Sequence, residues 1–435
     1  MNDAWKRARR ILCVRLDNLG DVLMTTPALR ALKESGEGRH LTLLTSRGAA
    51  SLAGHLPMVD DVWAYDAPWV KHPGAPADAA RDLEMISELL AARFDAAVIF
   101  TVYSQSPLPA AMMCWFAGIA LRLAHCRENP YRLLTDRVPE SEPQQPARHE
   151  VARQMALVRA VGATTRDWRM AFDPGYAARR ATHARLRAAL QRFDGARGAS
   201  DARSARDARN MPDMPDMPDM PRAPRAPRAH DALGRWLVVH PGASAPSRRW
   251  PAERFGEVIA RVGPLFDGIA VTGSAAERDL VETVCERAGP RAVPFAGALS
   301  LGELGALIEA SELLLSNNSG PVHLAAALGT PVVDLYALTN PQHTPWHVPH
   351  RVLNADAPCR DCYRSVCDQP GHPCLLGVSV DDTVAAVHSL LRSIERRARR
   401  PWRAPRAAPP PAAADEAAFA AGSNVIPLAH ASSRS

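Results

Sequence analysis

Short apolar runs alternate with longer amphipathic stretches along most of the chain. The first part carries the runs ILCVRL, LTLLT and AAVIF, and the segment VLMTTPALRALKE between the first two has the spacing of a helix. Strands that are covered by helices on both faces are apolar almost throughout. The pattern therefore predicts alternating strands and helices that form a mostly parallel sheet in a doubly wound α/β domain.

The same alternation begins again at Trp236, after an interruption. Its apolar runs are WLVVH, GIAVTGS, ELLLSN and PVVDLYA. A chain of 435 residues exceeds the size at which a single hydrophobic core keeps growing. We therefore predict a second doubly wound domain of the nucleotide-binding type.

Two segments have a composition that cannot build a core. Repeated Met-Pro-Asp and Arg-Ala-Pro triplets fill much of residues 192–233, and residues 399–435 are rich in proline and alanine. Proline lacks the backbone donor and blocks helix formation. The predicted organisation is a first domain over residues 1–191, a disordered linker over 192–233, a second domain over 234–398 and a disordered tail over 399–435.

Composition and charge exclude several classes of protein. Hydrophobic residues make up 47% of the chain and charged residues 23%, as in soluble globular proteins. No apolar run reaches the roughly 18–20 residues that a transmembrane helix needs. The net charge of +6 is mild and lies partly in the predicted linker, so nucleic acid is not indicated as a partner. Eight cysteines without an export signal indicate a reducing compartment, and we expect a cytoplasmic protein.

The loop after the run ELLLSN has the features of a phosphate-binding site. It passes from strand to helix with Pro321 at the first helical position and with Ser319 or Gly320 as the cap. The backbone N–H groups of Ser319, Gly320 and Val322 would point outward at the positive end of the helix dipole. This arrangement predicts a pyrophosphate site with His323 in the first helical turn. The alternative is that these residues only cap a strand-to-helix turn.

Two other loops of the second domain also follow strands and are rich in small residues. The loop HPGASAPSRRWP ends in paired arginines, which can neutralise a phosphate, although an exposed basic loop is the alternative. The loop from Thr272 to Glu277 repeats the order strand, glycine and helix, with Gly273 at the turn. Here Glu277 would hold the hydroxyl groups of a ribose.

In the first domain, the run ILCVRL leads into the segment Asp17-Asn-Leu-Gly-Asp21 and then into a helix. Asp21 stands where a helix cap belongs, and capping alone is one explanation. The other is a general base at the carboxyl end of a strand, facing the phosphate-binding loops across a cleft. The sequence contains no Asp-x-Asp triplet, so a divalent metal at the diphosphate is not indicated.

Four of the cysteines form a late cluster with the spacing C-x2-C-x4-C-x6-C, and His372 lies among them. This spacing partly matches the ligand sets of structural zinc sites. Both a structural zinc and reduced thiols without metal therefore remain open for Cys359, Cys362, Cys367 and Cys374.

Taken together, these motifs resemble glycosyltransferase family 9, the bacterial ADP-heptose:lipopolysaccharide heptosyltransferases. The resemblance rests on RLDNLGDVLMTTPAL, HEVARQMALVRAVG, HPGAS with RRWP, and SNNSGPVHLAAALGTPVV. The cysteine segment is similar to that of the heptosyltransferase II branch. The resemblance implies a GT-B fold, in which two Rossmann-like domains face a central cleft, and transfer with inversion at the anomeric carbon.

The resemblance also implies roles for single residues: Asp21 as catalytic base, Arg248 as phosphate-binding cation, and Asn318, Ser319, Gly320 and His323 as the donor-diphosphate loop. Two positions depart from the family pattern. The family commonly carries lysine where Arg248 stands, and aspartate and threonine where Asn318 and Ser319 stand. The positive charge is therefore kept at the first position, whereas the negative charge is lost at the second.

The expected activity is transfer of a heptose or related sugar from an ADP-sugar to the lipid-linked oligosaccharide of the lipopolysaccharide inner core. No cofactor or metal would be required, and contact with the cytoplasmic face of the inner membrane is expected. The alternatives are a sugar-nucleotide epimerase or hydrolase of the same fold, a family member with another donor and acceptor, and a non-catalytic binding module. A nicotinamide-dependent oxidoreductase is disfavoured because no G-x-G-x-x-G motif follows a strand.

Overall fold

The computed structural model describes residues 3–70, 78–143, 147–207, 233–338, 340 and 342–398. They fold into two α/β domains, each built on a six-stranded parallel sheet. This confirms the predicted pair of doubly wound domains. The predicted tail and residues 208–232 of the predicted linker lie outside the described residues.

The first sheet has the strand order β3-β2-β1-β4-β5-β6, and all its pairs are parallel. Its strands are β1 (Arg10–Arg15), β2 (His40–Thr45), β3 (Asp61–Ala64), β4 (Ala96–Ile99), β5 (Leu121–Cys126) and β6 (Asp136–Pro139). The helices that accompany this sheet are α1 (Asp3–Arg7), α2 (Leu19–Glu34), α3 (Ala79–Ala92), α4 (Leu108–Phe116) and α5 (Glu150–Arg159). A long helix, α6 (Tyr176–Asp207), follows them.

The second sheet has the order β12-β11-β10-β7-β8-β9, which repeats the winding of the first. Its strands are β7 (Trp236–His240), β8 (Gly268–Gly273), β9 (Ala292–Ala296), β10 (Leu313–Asn317), β11 (Val332–Leu335) and β12 (His350–Leu353). Its helices are α7 (Ala252–Val262), α8 (Arg278–Ala288), α9 (Leu301–Glu309), α10 (Gly320–Leu328), α11 (Pro373–Leu376) and α12 (Val380–Ala398).

Both sheets change their direction of winding between two central strands. In the first sheet this point lies between β1 and β4, and in the second it lies between β7 and β10. Ligands of open parallel sheets bind at such points, outside the carboxyl ends of the strands. The loops after β1, β4, β7 and β10 therefore define the two places where a ligand site is expected.

Helix α2 carries a proline in its interior and is nevertheless continuous. Pro27 has no N–H group to offer the carbonyl oxygen of Leu23. The hydroxyl group of Thr26 donates to that oxygen instead, at 2.6 Å. Most of α2 is buried, because the helix packs on α5 of its own domain and on α10 of the second domain.

Helix α6 crosses the predicted boundary between the first domain and the linker. It begins before the predicted end of the first domain at residue 191 and packs on α9, where Arg179 donates to both carboxylate oxygens of Glu309 at 2.6 and 3.0 Å. It also continues to Asp207, so that residues 192–207 of the predicted linker are helical in this structure. This segment is rich in alanine and arginine, whose high helix propensity outweighs its two glycines.

The loop between β11 and β12 joins the two domains. The indole N–H of Trp346 donates to the carbonyl oxygen of Trp168 at 2.8 Å, and the amide of Gln342 donates to Glu142 at 2.8 Å. The two contacts connect residues that are 178 and 200 positions apart in sequence. They fix the carboxyl edge of the second sheet against the first domain.

Candidate functional site

Asp21 lies in the first turn of α2, at the carboxyl edge of the first sheet. It is not the N-cap residue, which is Asn18, but it completes a capping box as the third residue of the helix: the backbone N–H of Asn18 donates to Asp21 Oδ2 at 3.2 Å. Asp21 is only 8% exposed. Its carboxylate is thus held by the start of the helix while one oxygen, Oδ1, faces the other domain.

A buried arginine at the end of β1 anchors this carboxylate. Arg15 has no exposed surface and forms three ion pairs, with Asp17 at 3.0 Å, with Asp21 at 3.3 Å and with Glu150 of α5 at 2.9 Å. Burial would raise the pKa of Glu150, but the positive charges of Arg15, Arg153 and His343 outweigh it and lower that pKa to about 2. Glu150 therefore stays ionised at neutral pH, and its ion pair with Arg15 helps to fix the guanidinium that holds Asp21.

A pocket of about 310 Å³ opens beside this cluster. Asp17 lines it together with Gln105, Ser104 and Trp69, and the Gln105 amide donates to Asp17 Oδ1 at 2.6 Å. Burial, reinforced by the negative charge of Asp21, raises the pKa of Asp17 although Arg15 opposes the shift. Polar groups that line a pocket next to a candidate base are suited to hold the hydroxyl groups of a sugar.

The predicted phosphate-binding loop lies at the matching edge of the second sheet. Ser319 is the N-cap of α10, and the helix begins at Gly320. The N–H of Val322 donates to the carbonyl oxygen of Ser319 at 3.0 Å and is not free for a ligand, contrary to the sequence-based expectation. Within the described residues, the N–H groups of Ser319 and Gly320 have no backbone acceptor. These two donors stand at the positive end of the α10 dipole.

Two histidines of the second domain face the Asp21 region. The rings of His323 and His343 lie 6.1 Å apart at 86°. Burial lowers the pKa of His323 well below its usual value, and the neighbouring charges of His343, His149 and Arg248 lower it further. His343 Nε2 lies 3.8 Å from Asp21 Oδ1 and thus brings the second domain to the candidate base.

The starts of α2 and α10 approach each other so closely that only glycine fits between them. A Cβ atom on Gly20 would lie 2.6 Å from Cδ2 of His323. Gly20 directly precedes Asp21, and His323 belongs to the phosphate-binding helix. The structure therefore brings Asp21 and the predicted donor loop together at one point of the interdomain cleft.

Arg248 reaches the same region from the loop after β7. Burial lowers the pKa values of His323 and His343 and raises those of Asp334 and Tyr336. The charge of Arg248 adds to the first two shifts and opposes the last two. In the part of the chain that the structure describes, its guanidinium forms no ion pair. An arginine without a carboxylate partner beside a helix N-terminus is suited to bind a phosphate.

Gly273 and Glu277 lie at the end of β8, next to the loop of His240. The carboxylate of Glu277 accepts hydrogen bonds from the backbone N–H of Ser274 at 2.8 Å and from its hydroxyl group at 2.9 Å. It also lies directly against Gly242, where an added Cβ atom would collide with Oε1. Glu277 is thus used within the loop, and its proposed bond to a ribose stays a prediction.

The four late cysteines are all free thiols near the start of α11. Burial raises the pKa of the Cys374 thiol, and its proximity to Cys359, Cys367 and Cys362 adds to this. The thiols are thus neighbours, but no group of three or more metal-binding side chains in the described residues is arranged to hold a metal ion. The zinc site stays a prediction.

Four buried polar residues belong to the site although no role was predicted for them from the sequence: Arg15, Glu150, Asp334 and His343. For Arg15 and Asp334 a signal existed, because each is a charged residue inside an otherwise apolar strand and must find a partner there. His343 carries no such signal. Its place depends on the loop between β11 and β12, which only the fold defines.

Comparison with known proteins agrees with the fold and identifies the family. The family model of glycosyltransferase family 9 (heptosyltransferase) matches residues 83–371, about two thirds of the chain. The chain therefore belongs to glycosyltransferase family 9. Asp21 lies outside the matched segment, so the match itself does not bear on the candidate base.

Curated relatives and solved structures give the same picture. The chain is 34% identical over 110 residues to the lipopolysaccharide core heptosyltransferase OpsX of Haemophilus influenzae, covering 25% of this chain and 32% of that protein. It thus spans about a third of that relative's length. A family 9 glycosyl transferase from Veillonella parvula superposes with a TM-score of 0.62 at 20% identity, covering 88% of this chain and 97% of that one.

E. coli ADP-heptose lps heptosyltransferase II superposes with a TM-score of 0.61 at 19% identity, covering 89% of this chain and 99% of that one. At these identities the likeness concerns the fold alone. It confirms the GT-B arrangement of two Rossmann-like domains.

Proposed function

We propose that this protein is an inverting glycosyltransferase that moves a heptose from an ADP-sugar to a lipid-linked lipopolysaccharide core oligosaccharide. The main support for the proposal is that Asp21 and the N-terminus of α10 lie close together in one cleft. Gly20, next to Asp21, lies against His323 of α10, and His343 lies beside the Asp21 carboxylate. One side of the cleft offers a carboxylate, and the other offers backbone donors and Arg248. The names of the curated heptosyltransferase relatives support the choice of sugar.

The chemistry needs both sides of the cleft. An acceptor hydroxyl oxygen attacks the anomeric carbon, its proton passes to Asp21, and the bond between the anomeric carbon and the diphosphate oxygen breaks. The electron pair leaves on the diphosphate, where negative charge grows. The N–H groups of Ser319 and Gly320 and the guanidinium of Arg248 stabilise that charge. Attack from the face opposite the leaving group inverts the anomeric configuration.

We propose that the leaving diphosphate is neutralised without a metal ion. Arg248 and the positive end of α10 would supply the charge that a divalent cation supplies in other enzymes. Transfer should then continue at an unchanged rate in the presence of a chelator. A loss of activity that Mg²⁺ or Mn²⁺ restores would contradict this part of the proposal.

The acceptor would enter at the pocket beside Asp17 and Gln105, with its lipid part at a bilayer surface. No described helix is long and apolar enough to cross a membrane. A groove between α3 and α4 shares Trp69, Ser106 and Pro109 with that pocket. These two helices also expose large apolar side chains: Leu83, Leu90, Met112, Trp115 and Phe116. We infer peripheral contact of this face with the membrane, since exposed aromatic side chains favour the bilayer interface.

This contact is tested by sedimentation with anionic phospholipid vesicles. Replacing Trp115 and Phe116 with serine should weaken vesicle binding, while transfer to a lipid-free oligosaccharide acceptor stays unchanged. Vesicle binding equal to that of the wild type would contradict a role for this face.

The activity is tested by incubating the protein with ADP-heptose, with and without a core oligosaccharide acceptor. The proposal predicts a heptosylated product with inverted anomeric configuration and little free sugar without acceptor. A sugar-nucleotide hydrolase would release free sugar at full rate without acceptor, and an epimerase would change the donor itself. A panel of other sugar nucleotides, compared by the rise in melting temperature that each causes, identifies the donor if ADP-heptose fails.

A further inference from the structure

Asp334 is a carboxylic acid buried inside an apolar strand. β11 reads Val-Val-Asp-Leu, and Asp334 has no exposed surface. Burial raises its pKa to about 8, although the hydrogen bond from Asn318 and the charge of Arg248 act in the opposite direction. A buried ionisable group weakens a fold unless its partners compensate fully. Such a group beside a ligand-binding loop indicates a use in that loop.

The side chain of Asp334 reaches the phosphate-binding loop directly. The amide of Asn318 donates to Asp334 Oδ2 at 2.9 Å, and it also lies 3.0 Å from the carbonyl oxygen of His343. The second oxygen, Asp334 Oδ1, is buried without a hydrogen-bond partner among the described residues. The charge of Arg248 acts on Asp334. An unpartnered carboxyl oxygen thus lies directly beside Asn318 of the phosphate-binding loop.

We propose that Asp334 supplies, from the neighbouring strand, a carboxyl group to this loop through its hydrogen bond with Asn318, and that it positions Asn318 for the donor diphosphate. The inference rests on the proposed function, because it assigns the diphosphate of the donor to this loop. Asp334 itself is a positioning residue, which acts through Asn318.

An amide and a carboxyl group that share a hydrogen bond can be exchanged. The variant Asn318→Asp/Asp334→Asn keeps one amide, one carboxyl group and the bond between them, and it moves only the acid. Asn318→Asp alone instead places two carboxyl groups about 3 Å apart in a buried site, where both cannot ionise together. Asp334→Asn alone keeps an oxygen that can accept the hydrogen bond from Asn318, but it removes the ionisable carboxyl group. The three variants therefore separate the acid from the hydrogen bond.

The experiment measures ADP binding by calorimetry and transfer kinetics for the wild type and these variants. Asp334→Asn should weaken ADP binding and raise the donor KM at least tenfold. The exchange variant should recover ADP binding to within threefold of the wild type. Asp279→Asn, on the exposed face of α8, is the matched control and should change neither quantity.

Thermal unfolding adds a readout that separates function from structure. The folded-state pKa of Asp334 lies above its unfolded value of about 3.9, so the group destabilises the fold at all pH values above that value. Asp334→Asn should therefore raise Tm at pH 7 while it weakens binding. A structural role alone predicts a lower Tm.

ADP binding by Asp334→Asn within twofold of the wild type would overturn the inference. An exchange variant that folds but binds ADP no better than Asp334→Asn would contradict the claim that the carboxyl group can act from either residue of the pair. ADP binding that follows the predicted order, in a wild type that transfers no sugar, would support the role of Asp334 and count against the proposed transferase. The two proposals can thus fail separately.

Discussion

At the scale of single residues, the site depends on charges that are buried and paired. Arg15 holds three carboxylates, and its removal would leave Asp17, Asp21 and Glu150 without the ion-pair partner that they share. Losing one partner of a buried ion pair costs more than the pair itself contributes, because the remaining charge stays desolvated. This cluster therefore links the stability of the first domain to the position of the candidate base.

Glu150→Gln tests that link through its pH dependence. The pKa of Glu150 is lowered to about 2 from an unfolded value of about 4.3, so its contribution is fully present above pH 4.3 and is lost as the pH falls towards 2. At pH 7 the variant should lose about 3–5 kcal/mol of unfolding free energy. Denaturant unfolding at several pH values should show this difference shrinking below about pH 4.

Glu309→Gln is the matched control, because Glu309 pairs with Arg179 but is one-third exposed. Its effect on the unfolding free energy should stay below about 1 kcal/mol. Equal losses for Glu150→Gln at pH 7 and pH 3 would show that the variant acts through packing rather than charge.

The residues that could be predicted from sequence are those whose local pattern indicates their role. Ser319, Gly320 and Pro321 predict a helix start after a strand, and the structure has that start at Gly320. His343 and Glu150 could not be predicted, because each reaches the site through tertiary packing. The role of Asp21 as a base stays a prediction, since the structure establishes only where it lies.

At the scale of elements, the central strands were predictable and the edge strands were not. β1, β7 and β10 are buried along almost their whole length, so their sequences are apolar runs. The edge strands β3 and β6 alternate or stay partly exposed and contain aspartate, arginine and proline. Their pairing with a neighbour defines them, and no local apolar run marks them.

The contact between α2 and α10 gives a prediction at this scale. Gly20→Ala should increase the helix propensity of α2 by about 1 kcal/mol, yet the added Cβ atom collides with His323. We therefore expect kcat/KM to fall at least tenfold while the first domain stays folded. Gly48→Ala is the control, since its Cβ atom would lie 4.0 Å from Ser46 Oγ. Unchanged kcat/KM for Gly20→Ala would show that the close approach has no part in the site.

The cysteine segment around α11 gives a second prediction at this scale. If the four thiols close around zinc, protein purified without chelator should contain about one equivalent of zinc, and Cys362→Ser should release it. Elemental analysis with less than a tenth of an equivalent, in folded protein, would leave reduced thiols as the explanation. Cys285→Ser, on α8, is the matched control and should not change the metal content.

At the scale of the whole molecule, the chain builds the same doubly wound sheet twice and faces the two carboxyl edges towards each other. This duplication was predictable, because both halves repeat the alternation of apolar runs and helices. The domain boundary was not. α6 packs on α9 of the second domain although it follows the first sheet, and no local sequence feature indicates which core a helix will join.

The single-turnover rate of Asp21→Asn, with saturating donor and acceptor, tests directly whether Asp21 is the catalytic base. The amide oxygen of this variant can still accept the hydrogen bond from the backbone N–H of Asn18, but the amide cannot take a proton. If Asp21 is the base, its loss should lower the transfer rate about 10²–10⁴-fold below that of the wild type and leave ADP binding within threefold of the wild type. Asp279→Asn should transfer at the wild-type rate. A folded Asp21→Asn protein whose transfer rate lies within threefold of the wild type would contradict the assignment of Asp21 as the base.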